Sequence, residues 1–403
     1  MKHKILLSAY SCEPNKGSES EVGWSWALNL SREKNEVHVI TRQNQKENID
    51  KYLANKNISN LNFIYFDYPN WFIKIFKSKK NPNSYLYFIL WQIGIFFKVY
   101  PLIKKLKFDY IHHVTFVSHR LPSFLAFYNI PFIFGPVSGG DIMPSNLYKN
   151  FSFTQRFKEI LRKISNSYIK ISPLMNLVFL KSKKIYVNSI DTKNNIPSYF
   201  HKKTDLLLAI GINDIDIIDK KINDNEIFRL CFGGNLINYK GINILMKTFL
   251  KLRKKINCEL NIFGEGDKKN YILDFIKQNQ IFDDVKLIGR LPRNKFIESL
   301  RQNDLLFAPL LRDSGSFITL EAMSKGLPCA VLNIGGPDTL VDNNCGIKIN
   351  VQNKSENEIV DEFVFSIYQL ILDKNMYKKK SYLSIEQSKK FTWKKKIDYI
   401  YFR

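Results

Sequence analysis

Short apolar runs alternate with longer stretches in which apolar positions return every three or four residues. In the first half the runs are KILLSAY (4–10), EVHVIT (36–41), LNFIYF (61–66), YIHHV (110–114), PFIFG (131–135) and KIYVNS (184–189). After residue 200 the alternation restarts with FRLCFGG (228–234), CELNIFG (258–264), VKLIG (285–289), LLFAPL (305–310), CAVLN (329–333) and GIKIN (346–350). Near-continuous apolar runs of this length suit strands covered on both faces, and helical periodicity falls between them at 240–255, 267–280 and 293–302. This order predicts α/β architecture with two doubly wound, Rossmann-like domains. The expected division is an N-terminal domain over 1–205, a C-terminal domain over 206–385 and a closing segment, 386–403, that crosses back to the first. The polar stretch GINDIDIIDKKINDNEI (211–227) marks the change-over, and no short repeat points to a solenoid. In such sheets ligands bind beyond the carboxyl ends of strands, so a cleft between the two domains is the expected site.

A length of 403 residues, 45% of them hydrophobic and 31 of them Phe, excludes a disordered or fibrous chain. The net charge of +24 attracts nucleic acid, anionic membrane surfaces or anionic substrates without choosing among them, and solvated lysines of a Lys-, Asn- and Ile-rich composition account for it equally well. The five cysteines, Cys12, Cys231, Cys258, Cys329 and Cys345, are dispersed without CxxC spacing, and the opening MKHKILLSAYSCEPNKG lacks a signal-peptide pattern. Both features lead to the expectation of a reducing, cytoplasmic setting. The most apolar stretch, YLYFILWQIGIFFKVYPLI (85–103), is broken by Gln92 and Lys98 and reads as a buried or interfacial helix. NWFIKIFKSKK (70–80) and RFKEILRKISNSYIK (156–170) mix apolar and basic residues. Such segments fit either helices packed on a sheet or peripheral contact with an anionic membrane surface.

Four segments carry candidate chemistry, and each follows a strand. In SCEPNKGSESEVGWSWALNL (11–30), Gly17 and Ser18 form a turn before a helix starting at Glu19, whose N–H groups suit a phosphate or sugar hydroxyl. The GxGxxG fingerprint is missing there, which removes the main support for hydride transfer. NLINYKGINILMKTF (235–249) begins with Asn235 and sets Lys240 beside Gly241 at a helix entry, within reach of an anionic leaving group. FGEGDKK (263–269) offers Gly264 for a close approach of backbone to ligand. In DSGSFITLEAMSKGLPCAVLNIGGP (313–337), Ser316 is the expected N-cap, Phe317 to Lys325 the helix and Gly326 its stop. The N–H groups of Ser314, Gly315, Ser316 and Phe317 are then expected to be open to a ligand. Side chains tilt toward a helix's amino end, so Glu321 points back toward them and toward Asp313.

These residues resemble the donor-binding region of retaining glycosyltransferases of family four, which have the GT-B fold. The family pattern of Glu, seven residues, Glu, then Ala-Met, Gly-x-Pro and Gly-Gly is met by Asp313, Glu321-Ala322-Met323, Gly326-Leu327-Pro328 and Gly335-Gly336-Pro337, with Asp for the first Glu. The resemblance extends over nearly the whole chain through EPNKGSESEVGW, FDYIHHVTFVSHRLPSFL, IPFIFGPVSGGD, YKG, FGEGD, VKLIGRLP and FTW (391–393). It implies that Glu321 binds the nucleotide ribose, that Asp313 and the backbone at Gly315 to Phe317 hold the donor sugar, and that Lys240 stabilises the departing diphosphate. Family members commonly carry Gly-Arg before the Lys-Gly element, whereas Gly234 is followed here by Asn235; Arg290 or Arg312 would have to replace that cation. Of the histidines His112, His113 and His119, expected in a loop after a strand, the resemblance places His113 first and His119 second beside the transferred sugar. Gly139 and Gly140 in GPVSGGD (135–141) would wrap the acceptor.

The implied activity is transfer of a hexose-like sugar from a nucleotide-diphosphate sugar to a saccharide or lipid-linked acceptor, in surface polysaccharide or glycan synthesis, with the departing phosphate taking the acceptor proton. No cofactor and no metal are expected. Asp214-Ile-Asp216 has the spacing of metal-dependent enzymes of the other common glycosyltransferase fold, but it falls in the change-over stretch. A sugar-nucleotide epimerase or a phosphorylase-like enzyme of the same fold is the alternative; an epimerase needs no acceptor and calls for stronger acid/base residues. A nucleic-acid-binding protein would concentrate its cations with stacking aromatics, whereas charge here is spread along the chain. Asn235 and Asp313 also leave room for a relative that binds without turnover.

Overall fold

The structure is a computed structural model that describes residues 2–402 apart from 55, 57, 77–84, 117 and 214–226. It forms two compact units, one made of Met1–Gly140, Lys163–Ala209 and Ile397–Arg403, the other of Asp141–Arg162 and Ile210–Lys396.

The first unit is built on seven strands: β1 (Lys4–Ala9), β2 (Glu36–Thr41), β3 (Leu61–Tyr65), β4 (Tyr110–Thr115), β5 (Phe132–Val137), β6 (Ser182–Val187) and β7 (Thr204–Leu206). They pair in parallel in the order β3-β2-β1-β4-β5-β6-β7. The second unit has six: β8 (Phe228–Gly233), β9 (Cys258–Phe263), β10 (Val285–Leu287), β11 (Leu305–Ala308), β12 (Cys329–Leu332) and β13 (Ile347–Ile349), parallel in the order β10-β9-β8-β11-β12-β13. All twelve apolar runs are strands. Among the described strands only β7 was not anticipated, because Thr-Asp-Leu is too short and polar to stand out. Each sheet reverses its winding direction once, between β1 and β4 in the first unit and between β8 and β11 in the second. The loops after those strands are where an open sheet leaves a crevice.

The apolar stretch near residue 90 forms the helix Tyr85–Lys105, the one described helix long and apolar enough to cross a membrane. One side of it is packed into the first unit's core: Tyr87, Phe88, Trp91, Ile95 and Val99 are fully buried, with Tyr10, Phe132 and Phe179 in the same cluster. Gln92, which interrupts the apolar run in the sequence, belongs to this buried side, and among the described residues neither end of its amide has a hydrogen-bond partner. The other side leaves Leu86 and Phe97 exposed.

Candidate functional site

At the second unit's switch point two loops are drawn together by close backbone packing. A side chain on Gly241 (φ 73°) would put its Cβ 1.9 Å from the carbonyl oxygen of Pro309, just past β11. The Leu311 N–H then donates to Tyr239 O at 3.0 Å. This packing fixes the turn Asn238–Lys240, which leads into the helix Ile242–Arg253, against the loop that carries Asp313. Gly264 is required for a related reason: its Cβ would lie 1.9 Å from the carbonyl oxygen of Gly234, so it lets the loops after β8 and β9 touch. Asn235, at the tip of that contact, is exposed.

Lys240 Nζ forms an ion pair with Asp313 Oδ2. The other carboxylate oxygen, Oδ1, accepts the N–H groups of Gly315 at 3.1 Å and Ser316 at 2.9 Å. Two of the four N–H groups expected to be open to a ligand are therefore committed to Asp313. The carbonyl of Asp313 in turn accepts the Gly336 N–H at 2.8 Å, so the Gly-Gly-Pro turn braces the same residue. Ser314 Oγ donates to the carboxylate of Asp141, which is buried and whose second oxygen has no hydrogen-bond partner among the described residues.

The helix runs Phe317–Ser324, with Lys325 outside it. Ser316 holds the N-cap position but does not cap by side chain: it sits at φ 53°, and its Oγ lies 2.7 Å from Thr319 Oγ1. Glu321 is buried and its carboxylate pairs with Arg293, the first residue of the helix Arg293–Leu300. The Arg293 guanidinium also lies over the Phe317 ring, 5.2 Å from its centroid. Arg293 was not foreseen, although it stands three residues beyond Arg290 and directly after Pro292, where a helix start places a side chain beside its neighbour. Arg290 itself is exposed. Arg312 is engaged elsewhere, paired with Glu159 and stacked on Tyr239 at 4.5 Å. A cavity of about 420 Å³ opens beside this group, with Asn238, Tyr239, Arg312, Glu159, Lys268 and Tyr271 in its wall.

The first unit gathers its own candidates at its switch point. The helix Ser18–Arg32 starts one residue earlier than expected, with Gly17 (φ 69°) at its N-cap and Ser18 at φ 52°. The Glu19 carboxylate accepts the Phe116 N–H, which ties this helix to the loop after β4. His112 and His113 do not lie in that loop; both are inside β4, because the apolar run continues through them. His113 is fully buried, its Nδ1 is 3.0 Å from Ser8 Oγ, its ring stacks on Phe134, and burial pushes its pKa down to about 3. His112 lies between Tyr401 Oη and Gly135 O, and burial lowers its pKa to about 4. His119 does occupy the loop, with Nδ1 2.9 Å from Ser138 O. Gly139 approaches Arg120 and His119. The next residue is held rather than loose: Gly140 N–H donates to Thr192 Oγ1 and its carbonyl accepts from Asn166 Nδ2. Among the described residues no group of three His, Cys, Asp or Glu side chains is placed to hold a metal. Asp214 and Asp216 lie outside the described residues.

Two parallel α/β units with these strand orders define a GT-B glycosyltransferase fold. A glycosyltransferase from Rickettsia africae superposes with a TM-score of 0.64 at 15% identity, over 98% of this chain and 95% of that one. HepE of Anabaena, solved with UDP and glucose, gives 0.60 at 15% identity, over 97% and 95%. Residues 214–382, in the second unit, match the glycosyl transferases group 1 family. N-acetyl-alpha-D-glucosaminyl L-malate synthase of Bacillus anthracis is 23% identical over 348 residues, 83% of this chain and 80% of that protein. An uncharacterized glycosyltransferase of Methanocaldococcus jannaschii is 23% identical over 271 residues, 63% of this chain and 66% of its own, just under two thirds of its length.

Proposed function

We propose that the chain is a retaining glycosyltransferase of family four that moves a sugar from a nucleoside diphosphate to a hydroxyl of a saccharide or lipid-linked acceptor. The observation that carries this reading is the Lys240–Asp313 pair at the second unit's switch point, beside the amino end of the helix bearing Glu321. Partners of opposite charge hold each other in place until a donor replaces both contacts. The diphosphate takes the Lys240 ammonium, and hydroxyls of the sugar take the Asp313 carboxylate. Glu321, fixed by Arg293, accepts hydrogen bonds from the ribose. Charge that develops on the leaving diphosphate then meets a cation already aimed at it, which is the most effective form of electrostatic catalysis.

His113, neutral and enclosed in the sheet, moves no proton in this reading. The departing phosphate takes the acceptor proton on the face it leaves, so the anomeric configuration is kept and no metal or cofactor is called for. Similar folds solved with UDP, and with UDP and a glycerol-linked sugar, support a nucleoside diphosphate donor and a saccharide acceptor. A cytoplasmic enzyme of surface polysaccharide synthesis, in peripheral contact with the inner membrane face, fits this donor and the chain's positive charge. The test has two stages. Release of nucleoside diphosphate identifies the sugar nucleotide that is turned over, and proton NMR of the product then reads its anomeric configuration. Retention is expected, and an inverted product overturns the mechanism.

A further inference from the structure

The helix Phe153–Tyr168 is amphipathic with its faces reversed. Six apolar side chains recur along it at helical spacing, and all are exposed: Phe153, Phe157, Ile160, Leu161, Ile164 and Tyr168, from 49% at Leu161 to 83% at Phe153. The buried positions are polar. Glu159 is 9% exposed and holds Arg312, while Asn166 is 1% exposed and donates to Gly140 O. At 3.6 residues per turn the six apolar positions fall within an arc of roughly 100°. Arg156 and Lys163 follow along one border of that arc and Lys158 along the other, and the helix's one acidic residue, Glu159, is on the inward side. A helix that packed only on its own protein would turn the apolar arc inward.

We propose that this face docks on an anionic lipid bilayer, with the helix lying in the plane of the interface. The six apolar side chains enter the boundary between headgroups and acyl chains, and Arg156, Lys158 and Lys163 meet the lipid phosphates. Ile171, Leu177 and Leu180, which follow the helix in the chain, are exposed as well. Charge decides between a bilayer and a second copy of the chain. A two-fold pairing would set the same cation-bordered patch against itself, in molecules that each carry +24. Gln155, Glu159 and Arg162, with Lys158 from the border, belong to the wall of the cavity near Tyr239. An acceptor carried on a lipid would thus come close to the donor group, a consequence that rests on the donor reading; the docking itself does not.

The experiment is flotation of the full-length chain with vesicles of phosphatidylcholine alone or mixed with phosphatidylglycerol. The wild type is expected to float with the anionic vesicles and to be released by salt. Phe157→Ser combined with Ile164→Ser, and separately Lys163→Glu, should each lower the bound fraction, the former by about tenfold or more. All three changes are at exposed positions, so the thermal midpoint and nucleotide binding should stay as in the wild type, which separates failure here from failure of the donor reading. Equal binding to neutral and anionic vesicles, or variants that bind like the wild type, would overturn the proposal. So would absence of vesicle binding together with a dimer, seen by sedimentation, that the same substitutions dissolve.

Discussion

In the proposed donor site, the ion pair between Lys240 and Asp313 orders both side chains ahead of a ligand. The carboxylate serves three partners, one ammonium and two backbone N–H groups, so it organises the turn as well as the charge. Replacing Lys240 with Ala should lower kcat by about a hundredfold or more, the size of effect seen when a preorganised group facing a developing anion is removed, while the fold persists. Steady-state kinetics with the identified donor checks this. Arg293→Ala leaves a buried Glu321 carboxylate without its cation. Because Arg293 is itself about a third exposed, the loss should be about 1–2 kcal/mol, well below that of a fully enclosed pair, and Arg293→Lys should recover part of it. Urea denaturation of the three proteins reads that order. His112 and His113 give a pH signature. Burial holds both in the neutral form, with pKa values of about 4 and 3, whereas the unfolded chain protonates near 6.5. The unfolded state therefore binds more protons below that pH. Stability is complete above about pH 6.5 and falls toward pH 4 by ~1.4 kcal/mol per pH unit for each histidine. Denaturation midpoints measured between pH 7 and pH 4.5 should show this slope, and His113→Phe should reduce it.

At the scale of elements, the strands were legible because a parallel strand covered on both faces has to be apolar throughout. Lengths of that kind survive in the sequence even where β4 carries two histidines. The same continuity explains why those histidines belong to the strand: what reads as polar in the sequence is neutral and enclosed once Ser8 and Gly135 supply hydrogen bonds. The Asp313–Glu321 segment was legible as a turn and helix, but its internal hydrogen bonds were not. Whether an N–H group faces a ligand or an aspartate two or three residues back depends on backbone angles, such as φ 53° at Ser316, that residue type does not reveal. Arg293 escaped notice because its partner lies across a helix pair, and charge spacing along the chain says nothing about contacts between helices. The helix Tyr85–Lys105 shows the ambiguity of apolar runs, since one side fills a core and the other does not. Trp91 lies on the filled side, with its indole N–H donating to Phe66 O at 2.8 Å. Trp91→Ala should cost about 3–5 kcal/mol, measurable as a lower urea midpoint, because the cavity left among rigid neighbours cannot collapse.

For the whole molecule, the two sheets with their single reversals have the GT-B fold, and the group 1 match falls on the unit that carries Lys240, Asp313 and Glu321. The central claim is that this unit binds a nucleoside diphosphate through those residues. Calorimetry of the wild type and Glu321→Ala with UDP, GDP, ADP, CMP and deoxythymidine diphosphate tests it most directly. The account predicts tight binding of one diphosphate by the wild type, weakened about tenfold to a hundredfold by the substitution, as expected for loss of a hydrogen bond to a charged group. Binding of none of the five, or binding indifferent to Glu321, would contradict it.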